Sequence, residues 1–126
     1  MTSLEKNIIR KSYALLDLPG SRFKHFTFVT RRNKIINLGW NDSKTHPMCK
    51  SYRSKSRHSE THAVISFRYD KKYLADYDFY NVRINNNNDV ALSKPCFFCQ
   101  EMLLTHGIKS IRYTNDQGVF EEMRIV

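Results

Sequence analysis

The chain has 126 residues, which suits one compact domain, and its 40% hydrophobic content supplies a core and argues against a disordered chain. Lys and Arg number 21 against 12 Asp and Glu, so the formal net charge of +9 favours anionic partners such as phosphates, nucleotides or nucleic acid. The apolar stretches are too short for a transmembrane helix and the N-terminal residues lack the core of a signal peptide, so we expect no membrane partner.

The first half of the chain predicts one helix, one β-hairpin and a long loop. Apolar residues recur at helical spacing over residues 4–18, and the Pro-Gly pair at 19–20 ends the pattern. Residues 23–30 and 34–38 are rich in aromatic and β-branched side chains, and the three residues between them are typical of a hairpin connection. Residues 41–57 lack hydrophobic periodicity, which predicts a loop of a length that is often functional in a compact domain.

The second half predicts two more helices and three more strands. One helix runs from residue 59 to about 72 and buries Ala63, Val64 and Phe67. Another begins at Pro95, in the favoured first-turn position, and ends at Gly107. The predicted strands are residues 79–84, 108–114 and 119–126, with polar turns at 85–89 and 115–118. Because helices alternate with strands, we predict a mixed sheet covered by helices on both faces.

Three cysteines are too few for a disulfide scaffold, so we expect a cytoplasmic protein whose clustered thiols serve as metal ligands or nucleophiles. Cys96 and Cys99 stand at the start of a predicted helix, where both sulfurs can point at one ion and the helix N-terminus favours the thiolate. One histidine from another helix start, His58, completes a Cys₂His set and leaves the fourth tetrahedral position open for water, as in catalytic zinc sites. Glu60 can approach that water without being a ligand and exchange protons with it.

The pattern His58-x-Glu60 followed by Pro95-Cys96-x-x-Cys99 resembles the zinc-dependent nucleobase deaminases, whose signature has the same order. The separation of 38 residues between His58 and Cys96 leaves room for the helix–strand–helix arrangement of that family. The resemblance extends over most of the chain and implies a single zinc-dependent deaminase domain over residues 1–126. The implied fold is α/β, a cytidine-deaminase-like three-layer α/β/α sandwich whose five-stranded mixed sheet ends in an antiparallel hairpin.

The resemblance also implies a reaction. Zn²⁺ would be the cofactor, bound by His58, Cys96 and Cys99, and Glu60 would be the catalytic proton shuttle. The expected activity is hydrolysis of a C–N bond in a cyclic amidine, which converts cytosine to uracil and releases ammonia. Cytosine is favoured because the resemblance is to the cytidine and deoxycytidylate group, while adenine and guanine stay open.

Five residues are candidates for substrate contact. The family directs the backbone N–H at the position of Ser59 toward the base carbonyl; alanine is commoner there, but plant organellar RNA-editing (DYW-type) deaminases also have serine. The resemblance assigns the backbone carbonyl of Lys94 to the exocyclic amine, and the side chain of Asn41 to the sugar or base. Trp40 has two interpretations, a base contact or core packing. His46 also has two, a base contact or a solvated position in the loop.

The remaining histidines and the loop charges have plainer interpretations. We interpret His25, His62 and His106 as packing or hydrogen-bonding residues, and Cys49 as an ordinary thiol. Basic residues cluster in the loop that leads to His58: Lys44, Lys50, Arg53, Lys55 and Arg57. A solvated face and a phosphate-binding segment are equally good explanations of this cluster.

Three functional hypotheses follow. The first is a deaminase of free (deoxy)cytidine or its monophosphate, the second a deaminase of bases in single-stranded DNA or RNA, and the third a non-catalytic zinc-binding nucleic-acid module. A C-terminal antiparallel hairpin resembles the free-cytidine group, whereas the best-known polynucleotide editors and the deoxycytidylate enzymes more often end in parallel strands. DYW-type and some toxin deaminases share the hairpin and act on polymers. We rank a nucleoside or nucleotide partner above single-stranded nucleic acid, and we keep a homo-oligomer among the partner hypotheses.

Overall fold

Helix α1 spans Ser3–Leu15 in the computed structural model, which describes residues 1–16, 24–40, 60, 63–64 and 76–125. A capping box begins it: the Thr2 hydroxyl accepts from the Glu5 backbone N–H at 3.1 Å, and the Glu5 carboxylate accepts from the Thr2 N–H at 2.8 Å. The predicted first helix is therefore confirmed over 3–15. Its predicted last residues, 17 and 18, lie outside the described residues.

The predicted hairpin is formed by β1 (His25–Arg31) and β2 (Lys34–Trp40), which pair antiparallel. Arg32 and Asn33 connect the strands with φ values of 52° and 64°, the positive φ at both central residues that a type I′ turn requires. The loop predicted over 41–57 lies outside the described residues.

The next strand, β3 (Asp78–Ile84), is connected by a turn to β4 (Val90–Ala91). The sequence pattern did not predict this two-residue strand. Between β3 and β4, the Asn85 side chain accepts hydrogen bonds from the backbone N–H groups of Asn87 and Asp89, at 2.9 and 3.0 Å. The asparagine run is therefore an ordered polar turn, as predicted. Within the described residues the sheet has six strands, because β4 adds to the expected five.

The cysteine helix, α2, spans Phe97–Thr105 and starts two residues later than predicted. Cys96 has extended backbone angles, φ −67° and ψ 163°, and acts as the N-cap, which leaves Pro95 outside the helix. Gly107 follows the last turn with φ of 84°, the left-handed conformation that ends many helices. Among the described residues no helix is long and apolar enough to cross a membrane.

The sheet is mixed, and its main path runs β2-β1-β3-β5-β6, where β5 is Ser110–Thr114 and β6 is Phe120–Arg124. β3 and β5 are parallel, and β5 and β6 form the predicted antiparallel hairpin. Each face of the sheet has its own core. One contains Ile8 of α1 with Phe26 and Phe28, and the other contains Ala63, Val64 and α2 residues with Val29. The three-layer α/β/α sandwich is confirmed.

Candidate functional site

Cys96 and Cys99 lie together at the N-terminus of α2. The backbone N–H of Cys99 donates to the sulfur of Cys96 at 3.5 Å, and the two thiols are in hydrogen-bonding contact. Cys96 is exposed, whereas Cys99 is fully buried. An exposed cysteine therefore lies beside one that is anchored in the core, and both stand at the helix end that stabilises negative charge.

Glu60 is a buried carboxylate beside this pair. Only 1% of the residue is exposed, and its side chain hydrogen-bonds to that of Cys99. Glu60, Ala63 and Val64 are helical, and their spacing places all three buried residues on one helix face. The Asn37 side chain on β2 donates to the carbonyl oxygen of Ala63 at 3.2 Å, which ties this helical segment to the sheet edge.

The surroundings of Cys99 favour the neutral thiol in the absence of a cation. A hydrogen bond with Cys96, then burial, and then the negative charge of Glu60 raise the pKa of Cys99 well above its usual range. A divalent cation reverses this preference because its charge stabilises coordinated thiolates. Two adjacent sulfur donors are typical of zinc sites, so the chemistry of this pair fits the implied metal.

Buried hydrogen bonds anchor the segment that leads to the cysteines. The Ser93 hydroxyl donates to the carbonyl oxygen of Asn81 and accepts from the backbone N–H of Thr114, both at 2.8 Å. The Asn81 side chain donates to the carbonyl oxygen of Ser93 at 3.2 Å and accepts from the Thr27 hydroxyl at 2.6 Å. All four residues are buried. Strands β1, β3 and β5 are thereby bonded to the chain three residues before Cys96.

We expect Ser93→Ala to lower the free energy of unfolding by about 1–3 kcal/mol, because it leaves a buried N–H and a buried carbonyl without their partner. Urea unfolding followed by circular dichroism measures the change. Ser3→Ala, at an exposed position in α1, is the matched control and should alter stability by less than about 0.5 kcal/mol. Equal unfolding midpoints for Ser93→Ala and the wild type would show that this anchor contributes nothing.

The other sequence-predicted residues are placed as follows. Lys94 is exposed and lies between the buried anchor Ser93 and the cysteines. Trp40 is half-buried and packs against the core on the α1 face, opposite the face of Cys99, which favours the packing alternative over a base contact. Four predicted site residues lie outside the described residues: His58, Ser59, Asn41 and His46. Within the described parts of the chain, no three His, Cys, Asp or Glu side chains form a metal-binding group.

The structure adds one residue that the sequence interpretation missed. His25, the first residue of β1, has its Nε2 atom 3.8 Å from Oε1 of Glu60. No spacing rule connects positions 25 and 60. The available signal was strand alternation, because His25, Thr27 and Val29 share one strand face and Val29 packs against the core that contains Ala63 and Val64.

Comparisons with known proteins identify the fold. No protein-family model matches the chain, and no curated protein sequence is similar to it. Among solved structures, a cytidine deaminase from Burkholderia pseudomallei superimposes with a TM-score of 0.64 at 18% identity, covering 99% of this chain and 94% of that enzyme. The chain has the cytidine deaminase fold.

A phage enzyme gives the same result. The dCMP deaminase of cyanophage S-TIM5 in its apo form superimposes with a TM-score of 0.61 at 15% identity, covering 92% of this chain and 86% of the phage chain. Its complex with dCMP and dUMP superimposes equally well, with a TM-score of 0.61 at 16% identity and coverage of 92% and 85%. The superposition therefore includes most of this chain and most of the phage enzyme.

Proposed function

We propose that the chain is a zinc-dependent hydrolytic deaminase that converts the cytosine of a free (deoxy)cytidine nucleotide or nucleoside to uracil and releases ammonia. The observation that carries this proposal is the contact between the buried Glu60 carboxylate and Cys99. Cys99 lies beside Cys96 at the start of a helix in the cytidine deaminase fold. A purely structural zinc site needs no carboxylate that is not a ligand. His58, Cys96 and Cys99 would hold the zinc ion.

The chemistry divides between the ion and the chain. Zinc, when bound, lowers the pKa of water so that hydroxide is available at neutral pH. Glu60 would take one proton from water and pass it to the ring nitrogen next to the amine-bearing carbon. It would then take the second proton of that water, from the hydroxyl group added to the carbon, and deliver it to the departing amine. Water supplies the oxygen of the keto product, and the amine leaves as ammonia. Burial of Glu60 suits this role because each proton then passes between positioned groups and not to bulk solvent.

Substrate orientation would come from backbone groups beside these residues. The carbonyl of Lys94 would accept from the exocyclic amine, and the N–H of Ser59 would donate to the base carbonyl. Asn41 would bind the sugar or base. The Ser93 anchor supports the first of these roles, because it ties the residue preceding Lys94 to two strands and so limits movement of this carbonyl.

We rank monophosphates above bare nucleosides and polymers. The antiparallel pairing of β5 and β6 resembles the ending of free-cytidine deaminases, which supports a free substrate over a polymer. The phage dCMP deaminase that shares the fold was solved with dCMP and dUMP, and one bound phosphate would account for part of the basic cluster between Lys44 and Arg57. The net charge of +9 favours the alternative, a deaminase of single-stranded nucleic acid, because a basic groove can follow a strand's phosphates.

Ammonia release from a panel of substrates tests this ranking. We expect dCMP or CMP to be deaminated faster than nucleosides and single-stranded oligonucleotides, with a weak dependence on salt. Binding to a single strand instead weakens with salt at a log–log slope of about 0.7 for each phosphate neutralised. Fast oligonucleotide deamination that collapses as salt rises would reverse the ranking. Zinc binding without ammonia release from any substrate would favour the non-catalytic module.

A further inference from the structure

His25 belongs to the face of the sheet that carries the candidate site. It stands in register with Arg83 across β1 and β3, and two and four residues later Thr27 and Val29 point to the same side. Thr27 donates to Asn81 in the buried anchor, and Val29 lies in the core beneath Glu60's helical segment. The imidazole therefore enters the site from the sheet, whereas the two cysteines enter it from α2.

The imidazole of His25 faces the carboxylate of Glu60 with a nitrogen that is buried from solvent. The side chain of His25 is 28% exposed, but its Nε2 atom is buried. This atom lies 3.8 Å from Oε1 of Glu60, whose side chain is only 2% exposed. Glu60 also hydrogen-bonds to Cys99, so its carboxylate is placed between an imidazole nitrogen and a cysteine sulfur.

A catalytic carboxylate in this position needs orientation. The terminal torsion of glutamate is broad, so burial alone does not decide which way each oxygen points. An N–H donor next to one oxygen sets the carboxylate plane and leaves the other oxygen for the reacting groups. The distance of 3.8 Å exceeds a direct hydrogen bond, and such contacts commonly tighten only when substrate is bound.

We propose that His25 is a positioning residue that donates from Nε2–H to Oε1 of Glu60 and so orients this carboxylate for proton transfer. The proposal rests on the proposed deaminase function for its kinetic consequence. Its structural part, an Nε2–H directed at Glu60, stands separately. Both the imidazolium and the neutral ring with its proton on Nε2 provide this donor.

Two substitutions separate donation from packing. His25→Leu removes the donor at similar size, and we expect kcat to fall by roughly 10–100-fold with KM nearly unchanged and zinc content retained. His25→Gln keeps an N–H and should recover most of kcat. His106→Leu is the matched control, because His106 caps the opposite end of α2 and hydrogen-bonds to the carbonyl oxygen of Met102. Its kcat should equal that of the wild type.

Two kinetic results would overturn the proposal. One is a wild-type kcat for His25→Leu. The other is an equal loss in His25→Gln and His25→Leu, because the effect would then come from the shape of the imidazole and not from its N–H. Zinc analysis on each variant verifies that altered turnover does not reflect altered metal content.

A measurement without turnover tests the same contact. Long-range ¹H–¹⁵N correlation spectra, with His25 assigned by its absence in His25→Leu, should show a proton on Nε2. The Nε2 resonance should shift in Glu60→Ala. A ring protonated only on Nδ1, or no shift in Glu60→Ala, overturns the proposal. If the spectra agree but no substrate is deaminated, the proposed function fails and the His25–Glu60 contact stands.

Discussion

Glu60→Gln is expected to retain zinc and lose nearly all deamination. The substitution preserves the size of a side chain that is 2% exposed, so the surrounding core should remain packed. An amide cannot take a proton from water and return it to the ring nitrogen and the departing amine. General acid–base catalysis by one group contributes roughly 10²–10⁴-fold, and Glu60 would serve several transfers, so the loss should reach at least the upper part of that range. Ammonia release and zinc content measure both effects.

The matched control is Glu101→Gln, the same change at an exposed glutamate on the cysteine helix. It should leave both turnover and zinc content at the wild-type level. Deamination by Glu60→Gln at the wild-type rate would show that Glu60 is not the proton shuttle. Loss of zinc from Glu60→Gln would instead show that the carboxylate contributes to metal binding.

Local signals predicted most of the fold because each describes a short stretch of backbone. Pro and Gly residues, stretches rich in aromatic and β-branched side chains, and polar turns located α1, both hairpins and β3. The sequence did not predict β4, because a strand of two residues is too short to show a periodicity. The start of α2 was predicted two residues early, since proline at a helix start is equally compatible with a position just before the cap.

The site was only partly predictable because its contacts join distant segments. The cysteine spacing indicates two ligands of one metal ion at the end of a helix. The structure places Glu60, which belongs to a different helical segment, next to these cysteines. His25 carries no motif, and its proximity to Glu60 depends on how β1 is placed in the sheet. For Trp40, the sequence left a base contact and core packing open, and the structure favours core packing because the side chain packs against the core on the α1 face.

Cys99→Ala is expected to lose most of its zinc and to be less stable than the wild type. Three protein ligands are the minimum for a catalytic tetrahedral site, so removing the buried sulfur leaves at most two. Because the ligands come from separate segments, the free energy of metal binding also stabilises the fold. Metal analysis and thermal unfolding measure the two losses. Cys49→Ala, the same substitution at the third cysteine, should keep both zinc and stability.

Chelation separates the loss of metal from the loss of packing in the same variant. A chelator should lower the unfolding temperature of the wild type and of Cys49→Ala toward that of Cys99→Ala, which should itself change little. Any remaining difference in unfolding temperature between the chelated wild type and Cys99→Ala measures the effect of the cavity left by the buried sulfur. This effect should be small because only one heavy atom is removed. Cys96→Ala should show the same zinc loss with less of this remainder, because Cys96 is exposed. Full zinc occupancy in Cys99→Ala would remove Cys99 from the ligand set and contradict the proposed site.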